Sequence, residues 1–525
     1  MAEAVVAPAR TVTRNVASMV GARGVTALAG LVSLPVIYAR LGADEFGVWA
    51  VLSGLATIVA LADLGLGSAV VRQVATSRHG GVHDAAALRR TQVVLGLGVL
   101  WGAVLAVVGA IAVQATWPWL SDLLNFGRHS TEARWTAMCL MLGVLVDGLA
   151  LPWRGVLEGT QRYDTLARVT AATAVLGALL ATGAVLAGGG LVALAIAAAA
   201  TSTVRAGWTI AVARRREPPL SPMLTGLRHE DIRDVAGYGL RVQVTSVSGA
   251  VGLELDRFIL AASFSPAVAG GFELGARVVN LCRLAPVYAL VALFPMAVSR
   301  TAELGPDWLD HFNVTVTKYL TAVAAIGAAV LVACADPLIR LWLGEPNWSA
   351  TACITILAPA YAFNLAAGAT GILSRVEGRP GRETSYAVLS VIVNLSLTWP
   401  LLHVLGPKGV PLATAIGVVV GTAHFLVSYH RATNRSVRPI VRAIWPSLVA
   451  AVVATGAGLL VRALLPAANG RLDAIVVASC CTVAAVAVAV IVLAMTGFVA
   501  SEDAARIRGM FGQRTSPIVH VASES

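Results

Sequence analysis

The sequence predicts an all-α, polytopic membrane protein of about fourteen transmembrane helices, arranged as two six-helix repeats followed by two further helices. Three observations lead there. Hydrophobic residues make up 57% of the 525 residues and charged residues only 13%, with a mean hydropathy of +0.78, whereas soluble proteins carry about 25% charged residues. Apolar runs of the length needed to cross a hydrocarbon core, about 20 residues, recur along the whole chain. The breaks between them are short and hold the Arg, Asp, Pro and Gly residues. An outer-membrane barrel is excluded, because its strands alternate apolar and polar positions and would not give an unbroken run such as 191–200.

Taken in order, the apolar runs place spans at 16–38, 46–70, 92–114, 135–157, 166–187, 191–212, 238–262, 268–294, 316–335, 351–373, 384–404, 411–430, 443–465 and 474–497. The opening MAEAVVAPARTVTRN is polar and precedes an apolar run without a convincing cleavage site, so it reads as the approach to a retained first helix. Basic residues crowd alternate breaks: Arg10 and Arg14, then Arg72, Arg78, Arg89 and Arg90, then 214–216, then Arg431, Arg435, Arg438 and Arg442. The intervening breaks are sparse in them, which places both termini in the cytoplasm. The same logic assigns the net charge of +11 to membrane topology and not to nucleic acid. No loop is long enough for a soluble catalytic domain.

The chain repeats. Residues 155–197 match 371–417, each reading as a helix end, Glu-Gly with basic residues, a helix, a Gly-rich turn and a helix; 41–49 match 264–272 as short links opening into the next helix. The organisation that follows is an N-terminal six-helix half (1–212), a cytoplasmic linker (213–237), a C-terminal six-helix half (238–430), two accessory helices (431–497) and a cytoplasmic tail (498–525). Six helices per repeat give both halves one orientation, with a site expected between them.

Charges inside apolar spans are costly and mark function. Span 1 carries Arg23, span 2 Asp63, span 7 Arg241, Glu254, Asp256 and Arg257, and span 8 Glu273, Arg277, Asn280 and Arg283. Five guanidiniums against four carboxylates leave a positive lining, and the planar donor fork of Arg suits phosphate oxygens. Arg23, Arg241, Arg257, Arg277, Arg283 and Asn280 are thus the expected substrate-binding residues, and Asp63, Glu254, Asp256 and Glu273 the ion-coupling candidates. The blander reading is that Glu254–Arg257 and Glu273–Arg277 are intrahelical pairs. Asp147 and His424 are weaker candidates, more simply satisfied by a neighbouring helix. The HGGVH stretch (79–83) lacks a third metal ligand, Trp117 and Trp119 read as interface anchors, and the six Cys show no metal or disulfide spacing. No phosphate-binding loop, dinucleotide fingerprint or nucleophile triad occurs, so no cofactor, metal or enzymatic role is expected.

In succession, LPVIYARLGADEFGVWAVLSG (34–54), LADLGLGSAVVRQVA (61–75), RGVLEGTQRYD (154–164), ELDRFILAASFSPAVAGGFELGARV (254–278), DPLIRLWLGE (336–345) and VEGRPGRETSY (376–386) resemble the multidrug/oligosaccharidyl-lipid/polysaccharide exporter superfamily, specifically its Wzx-type polysaccharide flippases. The resemblance implies a central cavity lined by spans 1, 2, 7 and 8. It further implies alternating access, and a polyprenyl-diphosphate-linked oligosaccharide carried from inner to outer leaflet of the bacterial plasma (inner) membrane for surface polysaccharide, including lipopolysaccharide, synthesis. Membrane lipids, and a glycan polymerase or glycosyltransferases, are the implied partners. A cation-coupled small-molecule or drug exporter and a lipid II flippase are the alternatives within the same fold.

Overall fold

A computed structural model describes residues 9–61, 65–79, 85–217, 219–225, 254–377, 381–468 and 470–498. Its first element, α1 (Ala9–Leu61), carries the first two sequence spans as two limbs of one bent helix. The bend is at Gly42 (φ 76°), a left-handed backbone angle at which any side chain would be strained. Sequence span 2 ends early in this arrangement, because α2 (Leu66–His79) starts afresh after Gly65, itself at φ 66°. Then come α3 (Ala85–Ala115), α4 (Trp117–Leu123), α5 (Ser130–Gly159), α6 (Tyr163–Leu186) and α7 (Leu191–Arg216). The short α4 lies in a stretch read from sequence as a loop.

The second half is described from α8 (254–263), followed by α9 (Pro266–Leu304), α10 (Pro306–Leu343), α11 (Trp348–Leu365), α12 (Gly368–Val376), α13 (Gly381–Leu405) and α14 (Gly409–Ala432). Ser265 begins α9 by accepting the Val268 amide, with Pro266 behind it at a position where a missing N–H costs nothing. Sequence span 10 is broken at Ala366–Ala367 into α11 and α12. The last two elements are α15 (Arg438–Leu464) and α16 (Arg471–Met495). Among the described residues ten helical stretches are long and apolar enough to cross a membrane, and two of these, Ala17–Leu61 and Ser385–Ala432, each hold two sequence spans.

Within the first half α5 packs on α3 and α7, and α1 on α6; within the second α11 packs on α9 and α14, and α13 on α14. The halves meet along α1 and α9, most tightly just past the bend. There a Cβ on Gly270 would lie 2.8 Å from the Gly47 Cα, and one on Gly47 would overlap the Pro266 carbonyl. Only glycines permit this backbone-to-backbone approach. We call this the bend end. Hydrogen bonds between the halves concentrate there: Asn347 Nδ2 donates to Tyr38 Oη (3.2 Å) and Asn125 Nδ2 to the Ala261 carbonyl (2.9 Å), while Trp342 Nε1 donates to the Leu31 carbonyl (2.8 Å) slightly deeper.

The accessory pair lies against α10 on a seam of small residues, Ala329 with Ala454, Ala485 and Ala489, then Ala333 and Cys334 with Cys481. Their opposite faces expose Val452, Leu460, Val483 and Val490, an apolar surface suited to hydrocarbon and not to water. Trp117 belongs to the core and not to the interface, since it is 5% exposed and stacked on Phe126; Trp119 is 64% exposed.

Candidate functional site

Between α1 and α9 lies a cavity of about 260 Å³, walled by Thr26, Gly30 and Leu34 on one side and by Glu273, Arg277 and Asn280 on the other, with Arg257 and Trp342 completing it. Both intrahelical pairs of the blander reading are formed, Glu254–Arg257 at 3.0 Å and Glu273–Arg277. The structure adds a contact that spacing along one helix could not reveal. Arg257 Nη2 reaches Glu273 at 2.6 Å, so the two pairs become a single chain, Glu254–Arg257–Glu273–Arg277, across α8 and α9.

The members of this chain are not equivalent. The Glu273 side chain is 5% exposed and that of Arg277 52%. Burial of a carboxylate is tolerable only with charge partners in place, and Glu273 has two. Arg277 therefore presents a held guanidinium to the cavity, with free donors left over. The four-member chain is balanced in charge, and what the cavity meets is the half-exposed Arg277 guanidinium beside Asn280, a donor set suited to an anionic group.

The other expected site residues fall elsewhere. Arg23 lines a separate cavity of about 350 Å³ inside the N-terminal half, with Asp147, Arg154, Glu158, Tyr163 and Arg205. Arg205 pairs with Asp147 and Arg154 with Glu158. The sequence reading singled out Asp147 without its partner; the signal was present, since Arg205 is itself a charge within the sixth apolar span. Arg283 turns into the C-terminal half. Its guanidinium lies 4.1 Å from the Tyr361 ring centroid and donates to Asn280 (3.3 Å) and Asn364 (3.4 Å). Asn364 in turn donates to Tyr386 Oη (3.2 Å) and Thr422 Oγ1 (2.9 Å), joining α9, α11, α13 and α14. Nothing in the sequence marked Asn364 beyond being an amide in an apolar run.

Asp256, two residues from Glu254, faces the opposite way. It is 1% exposed, accepts from Thr414 Oγ1 (2.5 Å), is hydrogen-bonded to Asn394, and has no ion pair among the described residues. Asp63, Arg241 and His83 lie outside the described residues, and His79 is the last residue of α2. His424 is exposed on the surface of α14.

Two further polar clusters flank these cavities. Between α14 and α15, Arg435 pairs with Asp310 (2.7 Å) and Glu377 (2.5 Å), and Tyr429 Oη donates to Glu377 (2.7 Å). Burial alone would lower the Arg435 pKa, but the bonds to Glu377 and Asp310 raise it. Near the bend end, ligand atoms of Glu45, His129 and Glu132 lie within 4.8 Å of one another, the described residues best disposed to hold a metal ion. Arg128 Nε, however, donates to His129 Nε2 at 3.1 Å, which engages one of the two ring nitrogens and brings a cation against the cluster.

The family described as "Polysaccharide biosynthesis protein" matches residues 12–300. No curated protein matches the chain in sequence. Among solved structures, the lipid II flippase MurJ in an inward closed conformation is similar over 90% of this chain and 97% of its own, with a TM-score of 0.68 at 12% identity. An inward-facing multidrug resistance MATE family transporter of the MOP superfamily is similar over 78% of this chain and 94% of its own (TM-score 0.63, 16% identity). A MOP superfamily transporter from Pyrococcus furiosus is similar over 81% and 95% (TM-score 0.55, 16% identity). These likenesses establish the fold, which the chain shares with those proteins.

Proposed function

We propose, since the chain belongs to the polysaccharide biosynthesis protein family, that it is a flippase carrying a polyprenyl-diphosphate-linked oligosaccharide from the inner to the outer leaflet for surface polysaccharide synthesis. The observation that carries the reading is the cavity between the halves, where Arg277 is held by buried Glu273 yet remains half exposed. A diphosphate crossing a membrane needs a desolvated, positive surface that is already organised, and an Arg fixed from behind provides one without an ordering cost at binding.

With both termini cytoplasmic, as the Arg distribution argues, the bend end faces outward. The backbone seal at Gly47 and Gly270 then closes the outer side, and the cargo head group enters from the cytoplasm. Rocking of one half about the α1–α9 seam would open the other side. Arg277 and Arg257 would meet the diphosphate in the central cavity, with Asn280 beside them. Arg23 would meet polar parts of the cargo from the N-terminal half. Arg283 would act by holding α9 to α11.

Of the four ion-coupling candidates, Asp256 suits the role best. Glu254 and Glu273 are ion-paired with arginines, whereas Asp256 is buried, is hydrogen-bonded to the neutral Thr414 and Asn394, and feels the Arg257 charge without an ion pair among the described residues. A buried carboxylate without a cation is costly, so a proton or a metal cation taken up from one side would compensate it and tie its movement to transport.

Deleting the gene tests the reading. Loss of surface glycan with lipid-linked oligosaccharide retained on the cytoplasmic leaflet is the expected result. Drug sensitivity with intact glycan would favour a cation-coupled exporter, and accumulation of peptidoglycan precursor a lipid II flippase; either outcome would overturn the proposal.

A further inference from the structure

An apolar groove of about 690 Å³ runs along the bend side of the central cavity and shares Leu31, Val278, Leu281 and Trp342 with its wall. At the rim stand Arg40, in the last turn before the Gly42 bend, and Arg471, the first residue of α16. Both are exposed, and neither has an ion-pair partner among the described residues. They differ in this from Arg257, Arg277, Arg205 and Arg462, each of which is paired with a carboxylate. The placement of Arg471 is built in. Its guanidinium lies over Gly344, the left-handed cap of α10 (φ 91°), where a Cβ would approach its Nη2 to 3.0 Å. The carbonyl end of a helix attracts a cation, and the glycine leaves room for it.

We propose that Arg40 and Arg471 form a second phosphate-recognition station, which holds the cargo's diphosphate at the outer leaflet while its polyprenyl tail lies in the groove. The inference rests on the flippase reading and adds a station distinct from the central cavity. A long apolar trough with two unneutralised guanidiniums at one end is complementary to one class of molecule, a lipid with a phosphate at the end of its chain. Continuity with the cavity assigns the groove to the transported lipid and not to a resident phospholipid. A tail resting there is beside the head-group cavity throughout, so the diphosphate can pass from Arg277 to the Arg40–Arg471 pair while the tail stays in contact with apolar wall.

The test uses the full chain in nanodiscs of neutral phosphatidylcholine, with geranylgeranyl diphosphate as probe and fluorescence of Trp342 and the other tryptophans as readout. The wild type should bind the probe. R277Q should bind it more weakly but measurably, and adding R40Q and R471Q to that background should weaken the remainder roughly a hundredfold or more, the scale of two charge-assisted phosphate contacts. Unchanged affinity in the triple variant overturns the station and leaves the flippase reading standing. So does complete loss of binding in R277Q alone. Displacement by phosphatidylglycerol at equal mole fraction would assign the groove to a resident phospholipid, and equally good competition by inorganic pyrophosphate would make it a free-anion site; both overturn the proposal. A wild type that does not bind the probe at all counts against the flippase reading itself.

Discussion

Asn125, in the connection between α4 and α5, donates through its side-chain nitrogen to the carbonyls of Ala261 (2.9 Å) and Ala262 (3.0 Å) at the end of α8. The contact joins the two halves and satisfies carbonyls that a helix end leaves without partners. Asn125 itself has φ 55°, a conformation Asn tolerates better than most residues. Asn125→Gly therefore removes the amide without adding backbone strain. Each lost hydrogen bond should weaken the seal by about 0.5–1.5 kcal/mol and raise the share of molecules open at the bend end, read as faster maleimide labelling of a cysteine placed in the seam. Labelling unchanged from wild type would show that the glycine seam alone sets the equilibrium.

A disulfide across that seam should stop transport. Cysteines at Ala43 and Ala267, in a background cleared of exposed Cys282 and Cys480, should crosslink when the bend end is closed and arrest export, with recovery on reduction. Transport that continues with the crosslink complete would contradict alternating access.

Arg277 and Arg257 should fail in different ways. Arg277→Ala leaves Glu273 still paired with Arg257, so the protein should extract as a monodisperse species while surface glycan is lost. Arg257→Ala strips Glu254 of its ion pair and leaves Glu273 to Arg277 alone; breaking a buried pair in this way costs about 3–5 kcal/mol. Yield and thermal stability in detergent should fall sharply for Arg257→Ala and little for Arg277→Ala. Equal losses in both would assign Arg277 to the structural core.

Arg283→Lys should not be conservative. A lysine keeps the charge but cannot lie flat over Tyr361 while bonding Asn280 and Asn364 at once. The expected outcome is a stability loss of about 1–2 kcal/mol, from the cation–π contact and the hydrogen bonds, measured as a lower melting temperature; an unchanged melting temperature would make Arg283 a cavity residue.

Truncation after Arg442 should leave a folded core. The seam it exposes on α10 is alanine and cysteine with Ile326, Val330 and Tyr319 beside them, a face that hydrocarbon covers at small cost, and Asp336 loses Arg462 but keeps Arg340 at 3.1 Å. A monodisperse truncated protein that still binds geranylgeranyl diphosphate through Arg277 checks this. Aggregation on extraction would place α15 and α16 within the structural core.

Sequence by itself determined that the chain is a helical membrane protein. That much follows from composition and run length, because a bilayer demands about 20 apolar residues per crossing whatever their partners are. It also singled out the charges that lie inside apolar spans, since a charge in hydrocarbon is costly wherever it falls, and the i,i+3 and i,i+4 pairs of α8 and α9 followed from helical spacing alone. The tertiary structure alone decided which of these charges share a site. Arg23, Arg277 and Arg283 looked alike in sequence, yet they line the N-terminal half, the central cavity and the C-terminal half. Which side of a helix faces a partner half depends on how helices distant in sequence pack, and a hydrophobic run that is apolar all round carries no record of it. Asp256 shows the same thing over two residues: turned away from Glu254, it meets Thr414 and Asn394 from α14 and α13, contacts that exist only once those helices have packed against α8.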